Sequence, residues 1–163
     1  MEKSGAERLY IYLDKNSPDT VKRLCELCPG VYVIVELSER RGGWCNDITF
    51  SPHTDNINMD WVHLYRGEVT RLHQLVSLSQ SWIVRDNLHL SDLGPEDWTE
   101  LSVLLDTLDS VRGVEIGRCS APPSVSLLET LWNKTQEELR IDNDFYYKKN
   151  EEDFSNLLKK HFQ

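Results

Sequence analysis

No apolar run in this chain approaches the roughly 18 residues that a membrane-crossing helix requires. The opening Met1-Glu2-Lys3-Ser4-Gly5 has no signal-peptide pattern. A membrane partner is therefore not expected, and the expected location is cytoplasmic. Basic residues are in deficit: 18 Lys and Arg stand against 27 Asp and Glu, a net charge of −9. That balance opposes the electrostatic attraction on which nucleic-acid binding depends, so no nucleic-acid partner is expected. Cysteine is scarce. The four thiols, Cys25, Cys28, Cys45 and Cys119, are too few to staple 163 residues, and free thiols are expected. A Walker loop, a Rossmann glycine set, a GxSxG elbow and an HExxH helix are all missing. An enzymatic reading thus has no motif to anchor it, and a non-catalytic role without a cofactor is expected.

What is present suits one folded unit. A content of 39% hydrophobic and 28% charged residues is that of a globular domain, and the length is that of a single domain spanning 1–163. Residues 8–13 and 31–37 are β-branched or aromatic with period-two alternation, which predicts strands. Between them Ser17 suits a helix cap and Pro18 the first helical position, and Val21, Leu24, Leu27 and Cys28 recur at helical spacing until Pro29-Gly30. The second half repeats the alternation: Leu88-His89-Leu90, a helix over about 95–108, Val114-Glu115-Ile116, a helix over about 123–134, then Leu139-Arg140-Ile141. Leu88 and Val114 are 26 positions apart, Val114 and Leu139 are 25 apart, and the helix-opening Pro95 and Pro123 are 28 apart. Two independent markers give nearly one period, the sign of a repeat array.

Residues 101–116 place their apolar side chains as LxxLLxxLxxVxxVxI, switching from helical to strand periodicity without a long loop. This resembles the leucine-rich repeat of the helix-bearing ribonuclease-inhibitor-like type, as in cytosolic NOD-like receptors. The match extends to Leu127, Leu128 and Leu131 followed by Leu139 and Ile141, and more loosely to residues 24–35, about half of the chain. The resemblance implies an α/β solenoid with a largely parallel sheet on one face and helices on the other. It also implies a protein partner, with innate-immune sensing or adaptor work as the specialisation. A compact α/β domain, enzymatic or nucleotide-binding, with its site at the carboxyl ends of the strands, is the alternative.

Residues 38–67 break the period and read as an irregular insertion: a polar turn at 38–43, a short strand at 47–50 forming a hairpin with 33–37, and a loop at 51–56. Asn56-x-Asn58-x-Asp60 superficially suggests a calcium loop, but Trp61 stands where the glycine is needed and Gly67 where the glutamate is needed, so loop polarity is the reading. A helix follows over 68–78. Residues 142–163 read as a tail and terminal helix, capped by Asn150 and running to about His161, with Phe154, Leu157, Leu158 and Phe162 on its apolar face. That helix is expected to cover the open end of the array, docking on a partner being the alternative. Cys25-x-x-Cys28, with Cys45 and His53 downstream, would supply four zinc ligands, and a zinc-binding adaptor is a second alternative. The pair lies inside an amphipathic helix rather than on a knuckle, so packing is the preferred reading and no metal is expected.

Alternation also sorts the strand side chains. Leu88/Leu90, Val114/Ile116 and Leu139/Ile141 take the core side, leaving His89, Glu115 and Arg140 on the other, on strands about 4.8 Å apart. Toward the amino end the same rule leaves Tyr10, Tyr12, Tyr32, Ile34 and Glu36 outside. Tyrosine offers rigid contact area with a polar tip, the alternative being that the 38–67 insertion or the terminal helix covers these rings. The partner-binding candidates are therefore Tyr10, Tyr12, Tyr32, Glu36, His89, Glu115 and Arg140, and the expected function is a non-catalytic cytosolic module that binds a protein or peptide.

Overall fold

The computed structural model describes residues 8–12, 17–27, 32–37, 47–49, 56–142 and 144–161. These form β1 (Arg8–Tyr12), α1 (Pro18–Leu27), β2 (Tyr32–Glu36), β3 (Asp47–Thr49), β4 (Asn56–Leu64), α2 (Glu68–Val76), β5 (Ser81–Leu90), α3 (Pro95–Leu104), β6 (Leu108–Ile116), α4 (Val125–Lys134), β7 (Thr135–Ile141), β8 (Phe145–Lys148) and α5 (Phe154–His161). A single 3-10 turn, Leu105–Thr107, joins α3 to β6.

Helix starts follow from local chemistry. The Ser17 hydroxyl accepts the Thr20 N–H at 3.3 Å, and the Ser124 hydroxyl accepts the Leu127 N–H at 3.1 Å, each satisfying an orphan donor of the first turn. At α5 the capping oxygen belongs to Asp153, which accepts the Asn156 N–H at 2.9 Å, rather than to Asn150. Asn150 instead follows β8, a strand absent from the expected tail. In α1 Val21 is buried, but Leu27 is 68% exposed and takes no part in the core.

The eight strands form one sheet in strict sequence order, β1 to β8. Pairing is parallel for β1–β2 and throughout β4–β7, and antiparallel for β2–β3, β3–β4 and β7–β8, so the α/β sheet is mixed. The hairpin of β2 with β3 is present, with Ile34 opposite Thr49 and Val35 opposite Ile48.

The second half of the expected insertion is corrected. Residues 56–64 are a strand, and Val62, His63 and Leu64 lie opposite Leu88, His89 and Leu90. A register shift between Met59 and Trp61 hid this, because buried Ile57 and Met59 precede the shift on one parity while buried Val62 and Leu64 follow on the other. The polar Asn56, Asn58 and Asp60 thus alternate along a strand and do not form a loop.

One side of the sheet carries the core. Val62, Leu88, Val114 and Leu139 make one lateral row and Leu64, Leu90 and Ile116 another, and the helices contribute Leu72, Leu75, Leu101, Leu104, Leu128 and Leu131. Burying each such side chain contributes about 1.5–3 kcal/mol. Successive β-α units are stitched by polar bonds. Trp82 Nε1–H donates to the Leu104 carbonyl at 3.1 Å and Trp98 Nε1–H to the Ala121 carbonyl at 2.8 Å. The buried Asp97 carboxylate accepts the N–H groups of both Gly67 and Gly94, at 3.0 and 2.9 Å.

The candidate face of the sheet

Strand pairing carries five chemistry-bearing residues across five strands in one register: His63, His89, Glu115, Arg140 and Tyr146, each opposite the next. Their side chains project from the side of the sheet opposite the core rows. The His63 and His89 rings stack, with centroids 4.1 Å apart and planes at 5°. Tyr65 lies 4.2 Å from His63 and Trp61 meets it edge-on at 5.8 Å. His63 Nε2 is 2.9 Å from the Ser91 hydroxyl, which fixes the ring. His89 Nδ1 is 3.9 Å from a Glu115 oxygen. At the far end the Arg140 guanidinium carbon sits 4.9 Å from the centre of the Tyr146 ring, in cation–π range, and the Tyr146 hydroxyl donates to Glu138.

Beside this row runs a line of bulges. The register shifts at Met59/Trp61 in β4, at Val84/Asn87 in β5 and at Val111/Gly113 in β6. Each shift turns consecutive residues away from the core, and in β6 it presents Arg112, whose Nε donates to Asp86 at 3.0 Å and Nη1 to Glu137 at 3.0 Å. Arg112 Nη2 also donates to the Asn87 side-chain Oδ1 at 3.2 Å. The glycine beside it leaves room for these partners: a Cβ at Gly113 would come within 2.5 Å of Asn87 Oδ1 and make the Asn87 side chain shift.

Of the residues expected on this face, His89, Glu115 and Arg140 are brought together in one row, half-buried. Tyr10 and Tyr12 lie on β1 and Tyr32 and Glu36 on β2, with β3 and β4 between them and His89, so the seven do not form one patch. Tyr10 is 51% exposed. Glu36 is a correction: at 7% exposure it is not an open-face residue, lying opposite Tyr12 on β1 and next to the fully buried Leu37. Cys25 lies in α1, while Cys28, Cys45 and His53 lie outside the described residues. The residues missed are Trp61, His63, Tyr65, Arg112 and Tyr146. Extending the period one unit back from Leu88-His89-Leu90 would have reached Val62-His63-Leu64 and with it His63.

Burial lowers the pKa of His89 below its ordinary value, outweighing the opposing pull of Glu115. The folded state therefore prefers neutral His89. Stability from this group is intact above the ordinary imidazole value of about 6.5 and is lost as pH falls below it, since the unfolded chain takes the proton first. The groups facing it are the His63 ring and the Glu115 carboxylate. Urea unfolding of wild type and His89→Gln at pH values from about 7 down to 5 should show a shallower loss in the variant. Parallel curves would rule out His89 as a source of the acid sensitivity.

No protein-family model, curated protein or solved structure matches the chain, so the reading of this face rests on the row and the bulges themselves.

Proposed function

We propose that this chain is a non-catalytic interaction module of leucine-rich-repeat-like, solenoid type, which binds an extended basic segment of a partner protein across β4–β7. The observation that carries the reading is the row His89, Glu115, Arg140 and Tyr146 on the side of the sheet away from the core, with the buried His63 ring stacked on His89 at its end. Sequential strand order and the parallel β4–β7 block support the solenoid. A shallow face carrying aromatic rings and half-buried charges suits side-chain-by-side-chain recognition. Basic character is argued from charge. The chain carries a net charge of −9, and Glu115 stands in the row between His89 and Arg140.

Ten-residue peptides rich in Lys and Arg, and matched peptides rich in Glu, should be titrated into labelled protein and followed by NMR. Saturable shifts at His89, Glu115 and Arg140 are expected with the basic peptides alone. Glu115→Arg would replace the anion between His89 and Arg140 with a second guanidinium opposite Arg140. It should weaken basic-peptide binding at least about tenfold while lowering folding stability by about 1 kcal/mol, the scale of a like-charged cross-strand pair. Shifts confined to the helices, binding of neither peptide class, or unchanged affinity in the variant would overturn the reading.

A further inference from the structure

A separate cleft of about 650 Å³ opens at the carboxyl ends of β6 and β7. Its volume lies in the range of sites that enclose a ligand the size of a side chain or small molecule. Three segments build it: the loop after β6, the β7–β8 turn and the end of α5. The floor is apolar, made by Ile116, Leu128 and Ile141, of which Ile116 and Leu128 are buried. One wall is aromatic. Phe145, an exposed ring, meets His161 edge-to-face at 4.7 Å, and His161 Nε2 is held 2.7 Å from the Tyr147 hydroxyl. The rim carries Asp142 and Asp144 against one cation, Arg118. Burial lowers the pKa of His161 and raises that of the Cys119 thiol in the same cleft, so both tend to be neutral and the rim keeps an excess of negative charge.

We infer that this cleft is a second binding site, which takes the long basic side chain of a partner polypeptide, its aliphatic stem on the Ile116–Leu128–Ile141 floor and its cation between Phe145 and the carboxylates of Asp142 and Asp144. The fit is chemical at both ends. A lysine or arginine stem covers apolar surface while its charged head stays at the wet rim, and the face of an exposed aromatic ring attracts a cation. An anionic ligand would meet two carboxylates, and a purely apolar one would leave the rim without a partner. The site does not depend on the sheet face across β4–β7, which lies on other residues.

The test uses blocked amino acids on the full chain: N-acetyl-arginine amide and N-acetyl-lysine amide, with the norleucine and glutamate counterparts as controls. Two signals report the cleft directly. These are the NMR shifts of Phe145 and His161, and the rate at which iodoacetamide labels Cys119, resolved from the other cysteines by peptide mapping. The cationic probes are expected to bind in the millimolar range, to shift both rings and to slow Cys119 labelling severalfold, with no response at His89 or Glu115. The norleucine and glutamate derivatives should do neither. The double variant Asp142→Asn, Asp144→Asn should weaken the cationic probes about tenfold. Asparagine is the chosen replacement because Asp142 has φ 55°, a left-handed conformation that asparagine tolerates. Equal binding of the norleucine or glutamate derivative, or no response to any probe in the wild-type chain, would overturn the assignment whatever the variant does.

Discussion

Replacing Trp82 by alanine is expected to cost about 3–5 kcal/mol, the range for deleting a buried aromatic ring from a core that cannot collapse around the gap. Among the described residues Trp82 is the largest fully buried side chain, and it lies near the start of β5 within the parallel block. Its ring fills the layer between the sheet and α3, and its indole N–H ties the strand to the end of that helix through the Leu104 carbonyl. Phenylalanine at the same position would keep most of the packing. The Leu104 carbonyl would also keep a donor, the Thr107 hydroxyl at 3.2 Å. Trp82→Phe should therefore cost only about 1–2 kcal/mol. Denaturant midpoints at unchanged slope check both values. An alanine variant within about 1 kcal/mol of wild type would show that this ring does not hold the layer together.

Asp97→Ala is expected to cost about 3 kcal/mol, through hydrogen bonds rather than volume. One oxygen of Asp97 accepts the Gly94 N–H at the start of its own helix, and the other accepts the Gly67 N–H at the start of the preceding one. Bonds to an ionised acceptor are stronger than neutral ones, and alanine would leave the buried Gly94 donor without its partner. The carboxylate also complements the amino-terminal end of α3. An asparagine side chain offers a single carbonyl oxygen in place of two, so Asp97→Asn should recover about half of the loss. If alanine and asparagine cost the same, the two-helix bridge is not the source of the effect.

Residues 88–141 were the most legible part of the chain, because leucines at helical spacing and the apolar-polar-apolar triplets mark the same period twice. The lateral placement of His89, Glu115 and Arg140 follows from that period alone, since residues one repeat apart on neighbouring strands fall opposite each other. What failed to show has one main physical origin. Alternation identifies a strand only while the pleat is regular, and the shift between Met59 and Trp61 reverses which residues face inward. That concealed β4, and with it Trp61 and His63. Arg112 was missed for a related reason: its outward position comes from a bulge, which breaks the count that would have found it. β8 is only four residues long and follows a polar turn, so Phe145 and Tyr146 read as tail. Glu36 shows the opposite error. Alternation set it apart from Val35 and Leu37, but alternation says nothing about whether a side chain is covered, and all three are buried.

Strict sequence order in the sheet also governs how the chain finds its fold. No strand must locate a distant one, so each ladder closes only a short loop, and the entropy of closure, which grows with the logarithm of loop length, stays small. The corollary is weak long-range coupling, because a disturbance at β1 reaches β8 only through every ladder between them. Against that background a tie that spans more than one ladder has unusual value. Arg112 is such a tie, reaching from β6 to Asp86 of β5 and Glu137 of β7 at once. A partner lying across the same three strands would repeat from outside what that guanidinium does from within, turning a series of pairwise couplings into one cooperative block.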